Sequence, residues 1–243
     1  MTAPSPDLSI VIPVYNEPDN IGPTLRRIAS EVHTPHEILV VYDFDADTTV
    51  PVVRALQEEL AAVRLQRNEI GRGVLNAMKA GIAASTAPLV LITMADGSDE
   101  MDRVDEMARL GDAGAAVVAG SRYMRGGGQV GGPLLKRLMS RAAGLSLHWF
   151  AGVPIHDATN NFKLYRRDFL DTVTIESTGG FELAIELTAK AARARKPMAE
   201  VPTVWRDRTA GESRFQIRAW LPKYLRWYFH AFAGRLGRLR PAR

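Results

Sequence analysis

The chain has 243 residues, of which 46% are hydrophobic, with 31 Lys and Arg against 27 Asp and Glu and no cysteine. This length and composition predict one large globular domain, or one domain with an appendage, and the lack of cysteine excludes a disulfide framework, a thiolate nucleophile and a zinc-finger spacing. The N-terminus lacks the pattern of a secretory signal and no segment has the roughly 18 uninterrupted apolar residues of a spanning helix, so we expect a cytoplasmic protein.

In chain order, the first half of the sequence alternates apolar runs with helical patterns. The runs are LSIVIPVY (8–15), EILVVYD (37–43), PLVLITMAD (88–96) and AAVVAGSRY (115–123). Because they are continuous rather than alternating, they predict buried parallel strands. Helical patterns lie between them, over Asp19–Val32, Thr49–Ala62, Gly71–Ala84 and Glu100–Asp112. The alternation is typical of an open, Rossmann-like α/β sheet flanked by helices, which binds ligands at the carboxyl ends of its strands.

The pattern changes after Tyr123. A glycine-rich loop, RGGGQVGGP (125–133), precedes a predicted helix from about Leu134 to Phe150. A second helix over about 180–195, a short strand EVPTVW (200–205) and a polar loop follow. We therefore predict a domain over residues 1–213, with a first half (1–123) and a second half (124–213), and a tail over residues 214–243.

The predicted tail is strongly basic and rich in aromatic residues. It holds eight Lys and Arg and no acid, whereas the preceding residues hold 23 basic against 27 acidic side chains. Its aromatic residues are Trp220, Tyr224, Trp227, Tyr228, Phe229 and Phe232. This composition favours a helix lying at a membrane interface. A helix packed on the protein's own surface, on a second subunit or on nucleic acid are the alternatives.

Four polar clusters follow the predicted strands. They are PVYNE (13–17), YDFDADTT (42–49), MADGSD (94–99) and GSRY (120–123). Acids that face one cleft repel each other unless a cation or the donors of a ligand hold them. The clusters therefore predict a site for a nucleotide diphosphate with Mg²⁺ or Mn²⁺.

These motifs, in their order, resemble the GT-A fold, family 2 glycosyltransferases of the dolichyl-phosphate mannose synthase type. The resemblance covers about Leu8 to Phe215 and includes NEIGRGVLNAMKAG (68–81), NNFKLYRR (160–167), GGFELAIEL (179–187) and RDRTAGESRF (206–215). It implies that the nucleotide is bound by Pro13, Tyr15, Asn16, Glu17, Asp43, Gly71, Arg72, Gly73 and Asp96.

Two positions depart from the family pattern. The usual Asp-Ala-Asp is Met94-Ala95-Asp96 here, and Tyr42 replaces the first of two usual acids, leaving Asp43. A thioether is a poor ligand for a hard cation, so we predict that Asp99 completes the metal site with Asp96. The alternative is that Ser98 or Asp99 caps the helix that begins near Glu100.

The resemblance also implies that residues 1–123 form a nucleotide-sugar half and residues 124–213 an acceptor half, with a site for a lipid phosphate. The implied ligands are Arg122, Lys136 with Ser140, and Arg208, and Arg137 could substitute for Lys136. With Asp96, Arg122 and Arg208 are the residues assigned to catalysis. The alternative for the two arginines is a structural ion pair with Asp157 or Glu182. Those two acids are otherwise expected to contact the donor sugar or support the residues that do.

The implied activity is the inverting transfer of a hexose from a nucleotide sugar to a polyprenyl or dolichyl phosphate. GDP-mannose is the first donor to consider and UDP-glucose the second. Because the acceptor phosphate is already anionic, no general base is needed. The alternatives are transfer to a hydroxyl, with Asp157 as the base, and a non-catalytic sugar-nucleotide-binding subunit. We expect a peripheral protein on the cytosolic face of a membrane, with no nucleic-acid partner, and a homo-oligomer stays open.

Overall fold

The computed structural model describes residues 5–207 and 217–236, and the side chains of residues 217–220 and 234–236 lie outside that description. The strands are β1 (Leu8–Pro13), β2 (His36–Tyr42), β3 (Val63–Arg67), β4 (Leu89–Ile92), β5 (Val117–Ser121), β6 (Gly128–Val130), β7 (Lys163–Arg166), β8 (Met198–Pro202) and β9 (Val204–Arg206). The α-helices are α1 (Pro18–Glu31), α2 (Thr49–Leu56), α3 (Val74–Ala84), α4 (Val104–Asp112), α5 (Leu134–Ser146), α6 (Arg167–Leu170), α7 (Leu183–Arg193) and α8 (Ile217–Leu236). A 3₁₀ turn (Met101–Arg103) precedes α4, and a π-helical turn (Leu147–Ala151) follows α5.

The main sheet has seven strands in the order β3-β2-β1-β4-β7-β5-β8. Six of them are parallel, whereas β7 lies antiparallel between β4 and β5. A second, two-stranded sheet pairs β6 with β9. The predicted mixed α/β architecture with a mostly parallel sheet is therefore confirmed. The sequence analysis did not predict β7, because its four residues are too few to show a period.

Several predicted boundaries are wrong. The helix predicted over Thr49–Ala62 ends at Leu56, and the chain turns into the unpredicted edge strand β3. The helix predicted from Gly71 begins at Val74, because Gly71 and Gly73 have φ angles of +136° and +121° that no helix accommodates.

Three further segments differ in their bounds. The helix predicted over Glu100–Asp112 is divided between the 3₁₀ turn and α4. The helix predicted to reach Phe150 ends as α5 at Ser146 and continues as the π-helical turn. The helix predicted over about 180–195 is confined to α7. Helix ends are the least periodic part of a sequence pattern, so these differences are small shifts of real elements.

Both faces of the main sheet are covered by helices. The residues of β1 are all buried, and alternate side chains join two apolar clusters: Ile10 and Ile12 pack on the α1, α2 and α4 side, and Val11 on the α3 and α7 side. A Cβ at Gly81 of α3 would lie 2.3 Å from Val11 Cγ1. Glycine at that position therefore lets α3 approach the sheet closely.

The C-terminal helix α8 packs on the body of the protein. Trp227 and Ala231 of α8 are buried in a third cluster with Leu147 and Ala151 of the π-helical turn. The aromatic residues of the tail thus differ in burial, since Trp227 is 2% exposed and Phe229 is 63% exposed. For the inner face of α8, packing on the protein's own surface is what the structure shows. The boundary predicted at residue 213 falls in the undescribed stretch, so the division into domains stays a prediction.

Within the described residues, the structure contains no helix with the length and apolar character needed to cross a membrane.

Candidate active site

The loops after β2 and β3 are joined by the side chain of Asp43. Its carboxylate accepts hydrogen bonds from Asn68 Nδ2 (2.7 Å) and from the backbone N–H of Gly73 (2.8 Å). The same Asn68 nitrogen donates to the carbonyl of Gly71 at 2.7 Å. The structure therefore brings together three residues that the resemblance assigns to the nucleotide, Asp43, Gly71 and Gly73, and adds Asn68 as their support.

A second acid holds the loop after β1 in place. Both oxygens of Asp47 accept the backbone N–H of Asn16 at 3.1 Å, and one also accepts that of Thr49 at 2.8 Å. Asn16 is in the left-handed region, with a φ of +51°, and Glu17 N–H donates to Thr49 Oγ1. The sequence analysis missed Asp47. Its position two residues before Thr49, at the start of α2, was the available signal, since Asp commonly bonds a backbone N–H two residues on.

An aromatic and cationic surface lies beside these loops. The rings of Tyr15 and Phe44 meet edge to face with centroids 5.6 Å apart, and Arg72 Cζ lies 5.1 Å from the centroid of Phe44. Tyr15 is 45% exposed. Of the residues implied to bind nucleotide, Tyr15 and Arg72 thus share one surface, to which Phe44 is an unpredicted addition. Aromatic and guanidinium faces of this kind can stack on a nucleobase.

The loop after β4 turns its second acid back toward the sheet. Gly97 has a φ of +69°, and the Asp96 carboxylate accepts the N–H of Ser98. Asp99 is 4% exposed and accepts a hydrogen bond from Thr93 Oγ1 at 2.9 Å. Neither the 3₁₀ turn nor α4 has a side-chain cap, so the capping alternative for Ser98 or Asp99 is wrong. Met94 fills an apolar position against the α3 and α7 side of the core.

The charges of Asp96 and Asp99 interact. Burial, and after it the negative charge of Asp96, raise the pKa of Asp99 to about 7 against the opposing effects of Thr93 and the Arg122 cation. A buried carboxylate beside another carboxylate is stabilised by a hard divalent cation, which prefers oxygen ligands. Among the described residues, no group of three or more Asp, Glu or His side chains could hold a metal ion. Asp96 and Asp99 thus offer carboxylate oxygens, the ligand type that such a cation prefers.

Arg122 forms a buried ion pair with Asp157. Arg122 Nε donates to Asp157 Oδ2 at 2.7 Å and Nη2 donates to Oδ1 at 3.0 Å, and the Asp157 side chain is fully buried. Burial opposes the charge of Asp157, but the Arg122 cation and its hydrogen bonds lower the pKa to about 2. The ion pair that the sequence analysis gave as an alternative is thus present for Arg122. It also means that Asp157 is ionised, with its oxygens engaged by donors.

Three hydroxyl groups, from Ser140, Thr159 and Tyr123, lie beside this ion pair. Arg122 Nη2 also donates to Ser140 Oγ at 3.1 Å and to Thr159 Oγ1 at 3.2 Å. Tyr123 donates its hydroxyl proton to Ser140 Oγ at 2.7 Å. The structure therefore confirms that Arg122 and Ser140 lie together. Thr159 and Tyr123 complete a set of residues (Arg122, Tyr123, Ser140, Asp157 and Thr159) that we call the phosphate cluster, after the acceptor phosphate that the resemblance implies. Asp99 and Arg122 are close enough for their charges to interact.

The remaining predicted residues have different surroundings. Lys136 is partly buried on α5, one turn before Ser140. Glu182 accepts the backbone N–H groups of Gly179 (2.7 Å) and Gly180 (2.6 Å), so it fixes its own loop. Pro13 ends β1 beside Val41 of β2. Arg208 lies outside the described residues.

Lys163 is a buried cation that the sequence analysis did not assign. It lies on β7, is fully buried, and donates to the backbone carbonyls of Asp157 and Asn160. Burial lowers the pKa of Lys163 to about 8, and Asp157 opposes that shift. Lys163 of the antiparallel strand β7 thus supports the loop that positions Asp157.

The chain was compared with known proteins. A profile described as glycosyl transferase family 2 matches residues 9–174. Polyprenol monophosphomannose synthase from Mycolicibacterium smegmatis is 30% identical over 95% of this chain and 89% of its own length. Dolichyl-phosphate hexose transferase from Haloferax volcanii is 31% identical over 86% of each chain.

Among solved structures, glucosyl-3-phosphoglycerate synthase from Mycobacterium tuberculosis with uridine diphosphate has a TM-score of 0.69. It is 16% identical, and the match covers 94% of this chain and 80% of that one. The same enzyme with Mn²⁺, uridine diphosphate and phosphoglyceric acid has a TM-score of 0.63 at 18% identity, covering 96% and 78%. At these identities the likeness shows a shared fold.

Proposed function

Because the chain belongs to glycosyl transferase family 2, we propose that it transfers a hexose from a nucleotide diphosphate sugar to a polyprenyl or dolichyl phosphate, with inversion at the anomeric carbon. The names of the two relatives, a polyprenol monophosphomannose synthase and a dolichyl-phosphate hexose transferase, support this acceptor class. Mannose from GDP-mannose is the first donor to test and glucose from UDP-glucose the second.

The observation that carries the proposal is the state of Asp157. Transfer to a hydroxyl needs a base to remove its proton, and Asp157 was the candidate. With a pKa of about 2 and both oxygens bonded to Arg122, that carboxylate is a very weak base. An acceptor phosphate arrives as an anion and needs no base. The phosphate cluster, with its guanidinium and hydroxyl groups, offers such an anion donors instead.

The donor side of the cleft has the features that a nucleotide requires. We place the base against Tyr15, Phe44 and Arg72, and the diphosphate near the backbone of Gly71 and Gly73. We propose that Asp96 and Asp99 hold Mg²⁺ or Mn²⁺, which when bound would offset the negative charge of the diphosphate. The family pattern has an acid at position 94, and the carboxylate of Asp99 lies close to the backbone of Met94. A second acid is therefore still available, which favours an active enzyme over a non-catalytic binding subunit.

The proposed reaction exchanges one bond at the anomeric carbon. A phosphate oxygen of the lipid attacks that carbon while the bond to the diphosphate oxygen breaks, and the nucleoside diphosphate leaves with the electron pair. Arg122, Ser140 and Thr159 orient the attacking phosphate. Asp157 keeps the guanidinium in position, and the burial of this pair limits the access of competing water.

A kinetic comparison of two serines on α5 tests the proposal. Ser140→Ala removes a member of the phosphate cluster, so we expect the acceptor KM to rise by roughly tenfold, equivalent to one charge-assisted hydrogen bond, with donor affinity unchanged. Ser146→Ala is the control, because Ser146 bonds Tyr228 OH at 2.9 Å away from the cluster. Polyprenyl phosphate and polyprenol are compared as acceptors. Sugar transfer to polyprenol at an equal rate would refute the proposal.

A further inference from the structure

Strand β9 forms hydrogen bonds along both of its edges. Along one edge it pairs with β6, and Gly128 N–H donates to the carbonyl of Thr203 at 3.0 Å. At the far end of the same edge, Asp207 N–H donates to the carbonyl of Val130 at 2.9 Å. Along the other edge the partner is not a strand but the loop after β4, which carries both candidate metal ligands. We call this loop, residues 93–100, the acid loop.

Two backbone N–H groups of β9 donate to the acid loop. Arg206 N–H donates to the carbonyl of Ser98 at 3.1 Å. Val204 N–H donates to the Oε2 atom of Glu100 at 2.8 Å. Because Val204 and Arg206 are two positions apart in a strand, their N–H groups lie on the same edge, opposite to β6. Glu100 therefore offers a carboxylate oxygen where a neighbouring strand would offer a carbonyl, and it follows Asp99 directly in the chain.

Thr203, directly before β9, connects this strand to the phosphate cluster. Its N–H donates to the carbonyl of Ser121 at 3.1 Å, and Ser121 directly precedes Arg122 in the chain. Thr203 is 1% exposed, and its hydroxyl oxygen lies 3.5 Å from Glu100 Oε2. Strand β6 leads through a short turn into α5, the helix of Ser140. Strand β9 thus lies between the acid loop and the two segments that hold Arg122 and Ser140.

The two-stranded sheet of β6 and β9 cannot fix its own position. Each strand has three residues, and none of these residues is buried. Two short strands are marginally stable in water without a buried apolar face, so hydrogen bonds to neighbouring segments determine where β9 lies. The side chain of Glu100 is 22% exposed, and Arg103 Nε, 3.9 Å from Glu100 Oε2, is too distant for a hydrogen bond. The bond from Val204 N–H, at 2.8 Å, is therefore the short contact of this oxygen.

We propose that Glu100 is a positioning residue, which through β9 places the phosphate cluster relative to the bound donor. A nucleotide bound at the acid loop fixes Ser98 and Glu100, these two residues fix β9, and β9 fixes β6 and the end of β5. The attacking phosphate oxygen then meets the anomeric carbon at reacting distance, and a misplacement of about 1 Å can lower the rate by about a hundredfold. The role in transfer rests on the proposed function, whereas the coupling of the acid loop to β6 requires only a bound nucleotide.

Steady-state kinetics with polyprenyl phosphate in detergent tests the positioning role. Glu100→Ala removes the acceptor of Val204 N–H, so kcat should fall at least about tenfold, while the acceptor KM and the affinity for GDP with Mn²⁺ stay within about twofold of the parent. Glu100→Gln keeps an oxygen at this position and should retain most of kcat, because a partly exposed charge contact such as that with Arg103 contributes little. The matched control is Glu106→Ala on α4, since Glu106 is 45% exposed and pairs with Arg109 of the same helix. This control should have the kcat of the parent.

Hydrogen exchange of the backbone amides gives a readout that needs no turnover. The full chain is compared with and without saturating GDP and Mn²⁺, in the absence of an acceptor, and UDP replaces GDP in a second sample. Nucleotide binding should slow exchange in β6 at least about fivefold in the parent and in Glu100→Gln, the usual size of a coupling between two sites. In Glu100→Ala the slowing should remain in the acid loop and be lost in β6.

The positioning role and the proposed function can fail separately. Equal slowing of β6 in the parent and in Glu100→Ala would overturn the positioning role. So would exchange in β6 of the parent that does not respond to either nucleotide, a result that no folding defect of a variant can cause. If Glu100→Ala transfers sugar with the kcat of the parent, the positioning role is likewise refuted and the proposed function stands. If β6 responds to nucleotide but the parent transfers no sugar to polyprenyl phosphate, the proposed function is refuted and the coupling through β9 stands.

Discussion

At the residue scale, we propose that Asp99 compensates for the acid that the family pattern has at position 94. If it shares a cation with Asp96, Asp99→Ala should weaken Mn²⁺-dependent nucleotide binding by at least about tenfold, a loss seen even for groups that only orient metal ligands. Met94→Asp in that background should restore part of the affinity. Calorimetric titration of Mn²⁺ with the nucleotide measures both. Asp102→Ala is the control, since its side chain is 57% exposed. Parent-like binding by Asp99→Ala would contradict the acid pair.

The Arg122–Asp157 pair should also give the fold a pH dependence. Asp157→Asn leaves a buried cation without its partner, which costs about 3–5 kcal/mol of unfolding free energy. The pKa of Asp157 is lowered from 3.8 to about 2 in the folded state, so its contribution is fully present above about pH 4 and is lost as the pH falls through 2. Urea unfolding at pH 7 and below pH 3 should therefore show a larger gap between parent and variant at pH 7. A gap that widens in acid would refute this account.

The residues that sequence reasoning missed have no motif of their own, whereas Asp43, Gly71 and Gly73 each lie in one. Thr159 could not be identified, because it bonds Arg122, which lies 37 positions earlier in the chain. Lys163 contacts carbonyls only a few positions away, but its burial depends on the position of β7 inside the sheet. Phe44 was not predicted as a site residue, because it lies between acids in YDFDADTT. Its contact with Arg72 in the structure is what places it beside the candidate nucleotide site.

At the scale of elements, α8 has a structural face and an exposed face. Trp227→Ala should lower the free energy of unfolding by about 3–5 kcal/mol, the usual cost of emptying a buried aromatic site. Phe229→Ala should change the free energy of unfolding by less than about 1 kcal/mol, because the side chain of Phe229 is 63% exposed. Chemical denaturation of both variants tests the assignment, and similar losses for both would contradict the packing of α8 on the π-helical turn.

The elements were predictable to different degrees. Continuous apolar runs identified β1, β2, β4 and β5, because strands buried on both faces have no polar alternation. The edge strand β3 has one buried residue in five, and the sequence analysis left it unassigned between two predicted helices. The direction of β7 depends on which strands it separates, and sequence periodicity carries no information on that.

For the whole molecule, the order of motifs predicted that several strand ends lie together, and the hydrogen bonds of Asp43 and Asp47 do join the loops after β1, β2 and β3. The surroundings of α8 were only partly predictable. The composition of the tail predicted a membrane interface, which stays a prediction, whereas the burial of Trp227 depends on how the π-helical turn packs against α8.

The central claim is that a lipid phosphate is the nucleophile, and ³¹P NMR of one reaction mixture tests it most directly. The mixture contains the full chain, Mn²⁺, polyprenyl phosphate in detergent, and GDP-mannose, with UDP-glucose in a second sample. The account predicts that the phosphomonoester signal of the lipid is replaced by a phosphodiester signal, with one nucleoside diphosphate formed for each lipid consumed. Formation of nucleoside diphosphate while the phosphomonoester signal stays constant would contradict it.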